Sequence, residues 1–108
     1  MQPQAVQSPI LTDLRDALEA VYGDDLRGVY LYGSHARHTA QPESDMDVLV
    51  VLRDFTDYWQ EIKRTGHIVA ALSLKYGVSI SLVRVRESEW QHEDSPFLNA
   101  VRRECVAA

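Results

Sequence analysis

Apolar side chains recur at helical spacing near the start of the chain, with Ile10, Leu14, Leu18 and Val21 on one face. Ser8 suits an N-cap, Pro9 a first helical position and Gly23 a stop, so a first helix is predicted between them. The period then shortens. Gly28-Val29-Tyr30-Leu31-Tyr32 is rich in β-branched and aromatic types and predicts a strand. A polar stretch from His35 to Ser44 has room for a helical turn and a loop. Asp47-Val48-Leu49-Val50-Val51-Leu52 follows, apolar at alternate and intervening positions alike, as in a strand buried on both faces. From about Thr56 to Tyr76 the helical period returns, with Trp59, Ile62, Val69, Leu72 and Tyr76 as the apolar stripe. Gly66 interrupts that helix at a modest propensity cost, and Gly77 stops it. Val78 to Val85 alternates, with Val78, Ile80 and Leu82 on one face and Ser79, Ser81, Val83 and Val85 on the other. A last helix is predicted from Pro96 to Glu104, with Phe97, Leu98 and Val101 on its inner side. The order helix, strand, short helix, strand, helix, strand, helix predicts an α/β fold, a small sheet covered by helices on at least one face.

Composition narrows the class. The 108 residues fit one domain, residues 1–108, and 45% apolar with 25% charged content supports a single core. No run approaches the roughly 20 apolar residues that span a bilayer. The start, Met1-Gln2-Pro3-Gln4, lacks the features of a secretory signal, so a soluble cytoplasmic protein is expected. The one cysteine, Cys105, cannot form an intramolecular disulfide, and no Cys/His cluster suggests zinc. The formal net charge of −5 disfavours direct nucleic-acid binding, which calls for a basic footprint. It leaves room for a small nucleotide, whose phosphates can be met by Mg²⁺ and a few local donors.

The chemistry concentrates between Gly33 and Asp47. A glycine at a strand end lets the backbone approach a ligand closely. Ser34 opens a predicted helical turn, whose outward N–H groups form a natural anion site, and its hydroxyl can donate to a phosphate oxygen. Arg37, one turn on, can present its fork of donors to the same phosphates. Asp45 and Asp47 are two apart at the start of a strand, so their side chains share a face. A divalent cation relieves their repulsion, and Mg²⁺ is commonly held by one or two carboxylates together with substrate phosphates. Taken singly, a Gly-Ser is usually a turn and an Asp-x-Asp a solvated or capping pair; the joint pattern is what carries information.

Gly33-Ser34, ten residues, then Asp45-Met46-Asp47 resembles the signature of the DNA polymerase beta superfamily of nucleotidyltransferases. Ala36-Arg37, Ala40 and Ser44 stand where its small bacterial and archaeal members carry an Ala-Arg pair, an Ala and a Ser. The stretch from Ser95 to Glu104 looks like the ending of the minimal nucleotidyltransferase (MNT) proteins. The resemblance implies a short mixed sheet with flanking helices. It implies Gly33, Ser34, Arg37 and Ser44 at the nucleotide, with Asp45 and Asp47 as catalytic Mg²⁺ ligands. The implied reaction transfers a nucleoside monophosphate, AMP from ATP by family habit, to a hydroxyl. Many minimal members act as antitoxins, some by adding AMP to a tyrosine of a partner HEPN-domain toxin.

One departure stands out. Active members carry a third carboxylate on the neighbouring strand, and the matching position here is Ser81, with Ser79 next. Glu87 and Glu89, just beyond that strand, are the alternative source. Arg84, Arg86 and Glu87 are otherwise expected to be solvated, as are His35 and His38. Arg102-Arg103-Glu104 is expected to complement the last helix's dipole. Three functions follow: a transferase acting on a HEPN protein, a binding module that neutralises such a toxin without catalysis, or a subunit modifying a small molecule across a homodimer or hetero-oligomer interface.

Overall fold

The computed structural model describes residues 9–36 and 45–108. Helix α1 spans Pro9–Tyr22 and a 3₁₀ turn, Gly23–Asp25, leads into strand β1, Leu26–Tyr32. Strand β2 is Met46–Leu52, helix α2 is Tyr58–Tyr76 and strand β3 is Ile80–Arg86. Two short helices, α3 (Glu87–His92) and α4 (Pro96–Glu104), precede a two-residue strand β4, Val106–Ala107. The strands lie in the order β3-β2-β1-β4. β1 is antiparallel to both β2 and β4, whereas β2 and β3 are parallel, with α2 as the crossover that such a pair requires. The sheet is therefore mixed and flanked by helices, as expected.

Each face has its own apolar cluster. On one, Leu11, Leu14 and Leu18 of α1 and Ile68 of α2 pack on Val48, Val50 and Leu52. On the other, Leu98 and Val101 of α4 pack on Leu49, Val51 and Val85. That explains why β2 is apolar at successive positions: it is buried from both sides. Helix α2 starts at Asp57, whose carboxylate accepts from the Trp59 N–H at 3.0 Å. It ends at Gly77, whose φ of 67° is left-handed. No helix among the described residues is long and apolar enough to cross a membrane.

Several expectations change: on α4, Leu98 and Val101 are buried but Phe97 is 45% exposed, and a separate short helix, α3, follows the third strand. The third strand begins at Ile80 rather than Val78. Strand β4 was not anticipated, because two residues cannot show a period. Trp59 does not belong to the inner stripe of α2; it is 71% exposed, and the buried positions are Glu61, Thr65 and Ile68, with Leu72 and Tyr76 packed behind them. Arg84 is not solvated, and Arg86, its side chain 38% exposed, is held by partners. Arg84 is only 7% exposed and donates to the Thr65 hydroxyl, while Arg86 pairs with Asp54 and Glu89 and lies over the Phe55 ring. Buried polar positions on α2 and β3 answer one another, which an apolar count alone overlooks. Ser8 and most of the predicted short helix lie outside the described residues; its opening, residues 33–36, forms a turn.

Candidate functional site

The pairing of β1, β2 and β3 arranges one sheet face in three rows. Tyr30, Leu49 and Val83 are in register in one row, and Gly28, Val51 and Val85 in the next. Helices α3 and α4 cover these rows, with Trp90 stacked on Tyr30 at 4.9 Å. The remaining row is Tyr32, Asp47 and Ser81, at the margin of that cover. Met46 is buried in the cluster on the opposite face, so strand alternation turns Asp47 to the Ser81 side, and Asp45 immediately precedes the strand. Asp45 is exposed and Asp47 half-buried.

Gly33 closes the row at the end of β1. Its φ is +76°, and a Cβ placed there would lie 2.6 Å from Asp47 Oδ2. The turn is thus folded directly against the carboxylate, and only glycine combines that backbone conformation with that approach. Ser34 and His35 are half-buried in the same turn. Arg37 and Ser44 lie outside the described residues. Tyr32, which precedes Gly33, has its phenol pKa raised by burial and then by the Asp47 charge. Phe97 of α4 meets Tyr32 edge to face, with ring centroids 5.7 Å apart. The sequence did not single out Tyr32 beside the carboxylate; the one available signal was that it directly precedes Gly33-Ser34.

Register answers the question of the third carboxylate. Asp47 pairs with Ser81, so the group beside it is a hydroxyl. Glu87 and Glu89 do not substitute. They follow the far end of β3, six residues beyond Ser81 in the case of Glu87, or about 20 Å of strand. Glu89 accepts from the Arg86 backbone N–H at 2.9 Å in a capping box that opens α3, and Glu87 sits 3.8 Å from Arg27. Among the described residues, no group of three or more His, Cys, Asp or Glu is placed to hold a metal. The expected donors, Asp45 and Asp47, are two carboxylates, a set that would suit one Mg²⁺ completed by the phosphates of a nucleotide.

Residues 11–102 match the family model of the nucleotidyltransferase domain. The chain belongs to this family. It is 34% identical over 79 residues to a candidate protein adenylyltransferase of Methanocaldococcus jannaschii, MJ1305, an alignment covering 70% of this chain. The chain matches about half, 52%, of that relative's length. Its fold is similar to a chain of a toxin–antitoxin crystal structure with AMP-PNP, at a TM-score of 0.61 and 18% identity, covering 88% of this nucleotidyltransferase chain and 69% of the other. It is also similar to a chain of the complex between a tri-AMPylated Shewanella oneidensis HEPN toxin and its MNT antitoxin. There the TM-score is 0.52 and the identity 16%, over 91% of this chain and 70% of the other.

Proposed function

We propose that this protein transfers AMP from ATP to a tyrosine hydroxyl of a HEPN-domain partner and acts as its antitoxin. The observation that carries the proposal is the Gly33 turn folded against Asp47. In this reading Asp45 and Asp47 hold the metal, and Gly33 leaves the triphosphate room to approach. Ser34 donates to a phosphate oxygen, and Arg37 and Ser44 complete the nucleotide contacts. When bound, Mg²⁺ supplies positive charge that polarises the phosphoryl group and orients the attacking hydroxyl. The acceptor oxygen bonds to the α-phosphorus, the α–β phosphoanhydride bond breaks, pyrophosphate leaves and the acceptor's proton passes to solvent.

Ser81 bears on the acceptor. A serine hydroxyl is no useful base at neutral pH, so the acceptor must part with its proton without a neighbouring carboxylate. A phenol, with a pKa of about 10, meets that condition better than an alkyl alcohol. The relative named as a protein adenylyltransferase and the AMPylated HEPN toxin of the structural neighbour support the same reading. Ser81 also favours a second reading, in which the chain neutralises its partner by binding alone and the nucleotide site is regulatory.

Intact-mass measurement separates the two. The protein is incubated with ATP, Mg²⁺ and a HEPN-domain protein from the same organism. A gain of one or more AMP units on the partner, lost in Asp45→Ala and Asp47→Ala, is the expected result. A stable complex with unchanged mass establishes the binding module instead, and transfer that starts only in Ser81→Asp identifies the missing carboxylate as the reason.

A further inference from the structure

Phe97 is not used by the reading above, and its position is unusual for an apolar side chain. It lies in the first turn of α4, where Pro96 follows the N-cap Ser95, whose hydroxyl accepts from the Leu98 N–H at 3.1 Å. That cap fixes how the helix meets the sheet. Leu98 and Val101 of the same helix are buried, yet Phe97 is 45% exposed. Its ring is nearly perpendicular to that of Tyr32, at 85°. One such contact engages a single edge or face of Phe97 and leaves the rest of the ring open.

The neighbouring row shows the contrast. There Tyr30 and Trp90 stack at an interplanar angle of 26°, and the aromatic surface is satisfied within the chain. In the Tyr32 row the register partner of Tyr32 is Asp47, so Phe97, which packs on Tyr32, stands one side chain away from that carboxylate, where the cover of α4 ends. An open ring at the margin of a carboxylate pair adds little to the core. It offers a wall on which a second ring can stack, and Tyr32 behind it holds the wall in place.

We infer that Phe97, backed by Tyr32, is a stacking platform for a planar ring held beside Asp45 and Asp47. The inference rests on the nucleotidyl-transfer reading and deepens it by naming a specificity-determining residue. The ring comes either from the nucleobase of the triphosphate or from the phenol of the acceptor. The chemistry of recognition is the same for both: a π-face against a π-face, with no requirement for hydrogen bonds.

The test uses Phe97→Ala, Phe97→Leu and Phe97→Trp, each first shown by circular dichroism to fold as wild type does. Calorimetry gives the affinities for Mg²⁺–ATP and Mg²⁺–tripolyphosphate, and the transfer assay gives KM and kcat for the partner protein. If the nucleobase stacks there, Phe97→Ala and Phe97→Leu weaken ATP about tenfold, Phe97→Trp keeps it, and tripolyphosphate is unaffected. If the acceptor stacks there, both phosphate ligands bind as before, and KM for the partner rises about tenfold with kcat nearly unchanged. Folded Ala and Leu variants with wild-type ATP affinity and wild-type KM overturn the platform while leaving the nucleotide site standing. A wild-type protein that binds neither ATP nor tripolyphosphate removes the nucleotide site itself, and the platform with it.

Discussion

Gly33 is confined to glycine for two separate reasons, and one substitution exposes both. With φ at +76°, any Cβ incurs the left-handed penalty of roughly 1–2 kcal/mol, and here it also lies 2.6 Å from Asp47 Oδ2. The carboxylate has to move, because the nearest atom is the very group proposed to hold the metal. Gly33→Ala is therefore expected to lower the melting temperature by several degrees and to weaken Mg²⁺–ATP by at least about tenfold. Thermal melting and calorimetry check the two effects. Unaltered affinity in a destabilised variant would separate the turn from the site and count against the assignment of Asp47. At this scale the sequence was informative where chemistry depends on spacing. Gly33, Asp45 and Asp47 could be located from a turn glycine and strand alternation, whereas Ser81 was picked out only by the resemblance to the nucleotidyltransferases. Arg84 could not. A charged residue in an alternating strand reads as solvated, and only the fold shows the Thr65 hydroxyl and the Tyr58 ring waiting for it.

Among the elements, α2 shows most plainly how polar and apolar signals diverge. Its sequence stripe holds at Val69, Leu72 and Tyr76, which pack on the core, but in the first turns Glu61 and Thr65 face inward while Trp59 is left in water. The inward polar positions have buried partners: Tyr22 donates to Glu61 at 2.8 Å, and Arg84 donates to Thr65. A polar pair with a complementary partner can outweigh one tryptophan left in water, since an unpaired buried group costs about 1–3 kcal/mol. Gly66 lies on the exposed side of the same helix, and a Cβ there would meet nothing within 4 Å. Glycine in a helix interior is less favourable than alanine by about 0.8–1.0 kcal/mol. Gly66→Ala is accordingly expected to raise stability by close to that amount in urea unfolding, with an unchanged m-value. A neutral or destabilising result would mean that this helix face is engaged by a partner already present in the sample. The short elements were illegible for a different reason. Strand β4 has two residues and α3 six, and neither is long enough to display a period against its neighbours.

The same polar cluster links α1, α2 and β3 and gives the whole molecule a pH dependence that can be measured. Tyr22 ends α1 and is buried, and its hydroxyl donates to Glu61. Its pKa is pushed up to about 12, by burial first and then by the hydrogen bond to Glu61 and its charge, against opposing pulls from Arg84 and Arg64. Below about pH 10 the folded and unfolded chains both keep the phenolic proton, and the contribution to stability is fully present. Between about pH 10 and 12 the unfolded chain releases the proton while the folded chain retains it, so each rise in pH favours unfolding. The loss over that window is of order 2 kcal/mol, from about 1.4 kcal/mol per unit. Tyr32 and Tyr76 are shifted in the same direction and add to the slope. They are retained in Tyr22→Phe, which isolates the contribution of Tyr22. That variant is expected to be less stable than wild type at neutral pH by roughly 1–3 kcal/mol, because Glu61 loses a donor, with Arg64 remaining at 3.5 Å. The difference between the two proteins should then narrow as the pH is raised, since the variant has no phenol at this position to release a proton. Urea unfolding followed by far-ultraviolet circular dichroism from about pH 8 to pH 11.5 reads both quantities. Parallel stability curves would show that the Tyr22 phenol titrates alike in the folded and unfolded chain, and the buried link between α1 and α2 would then have to rest on packing alone.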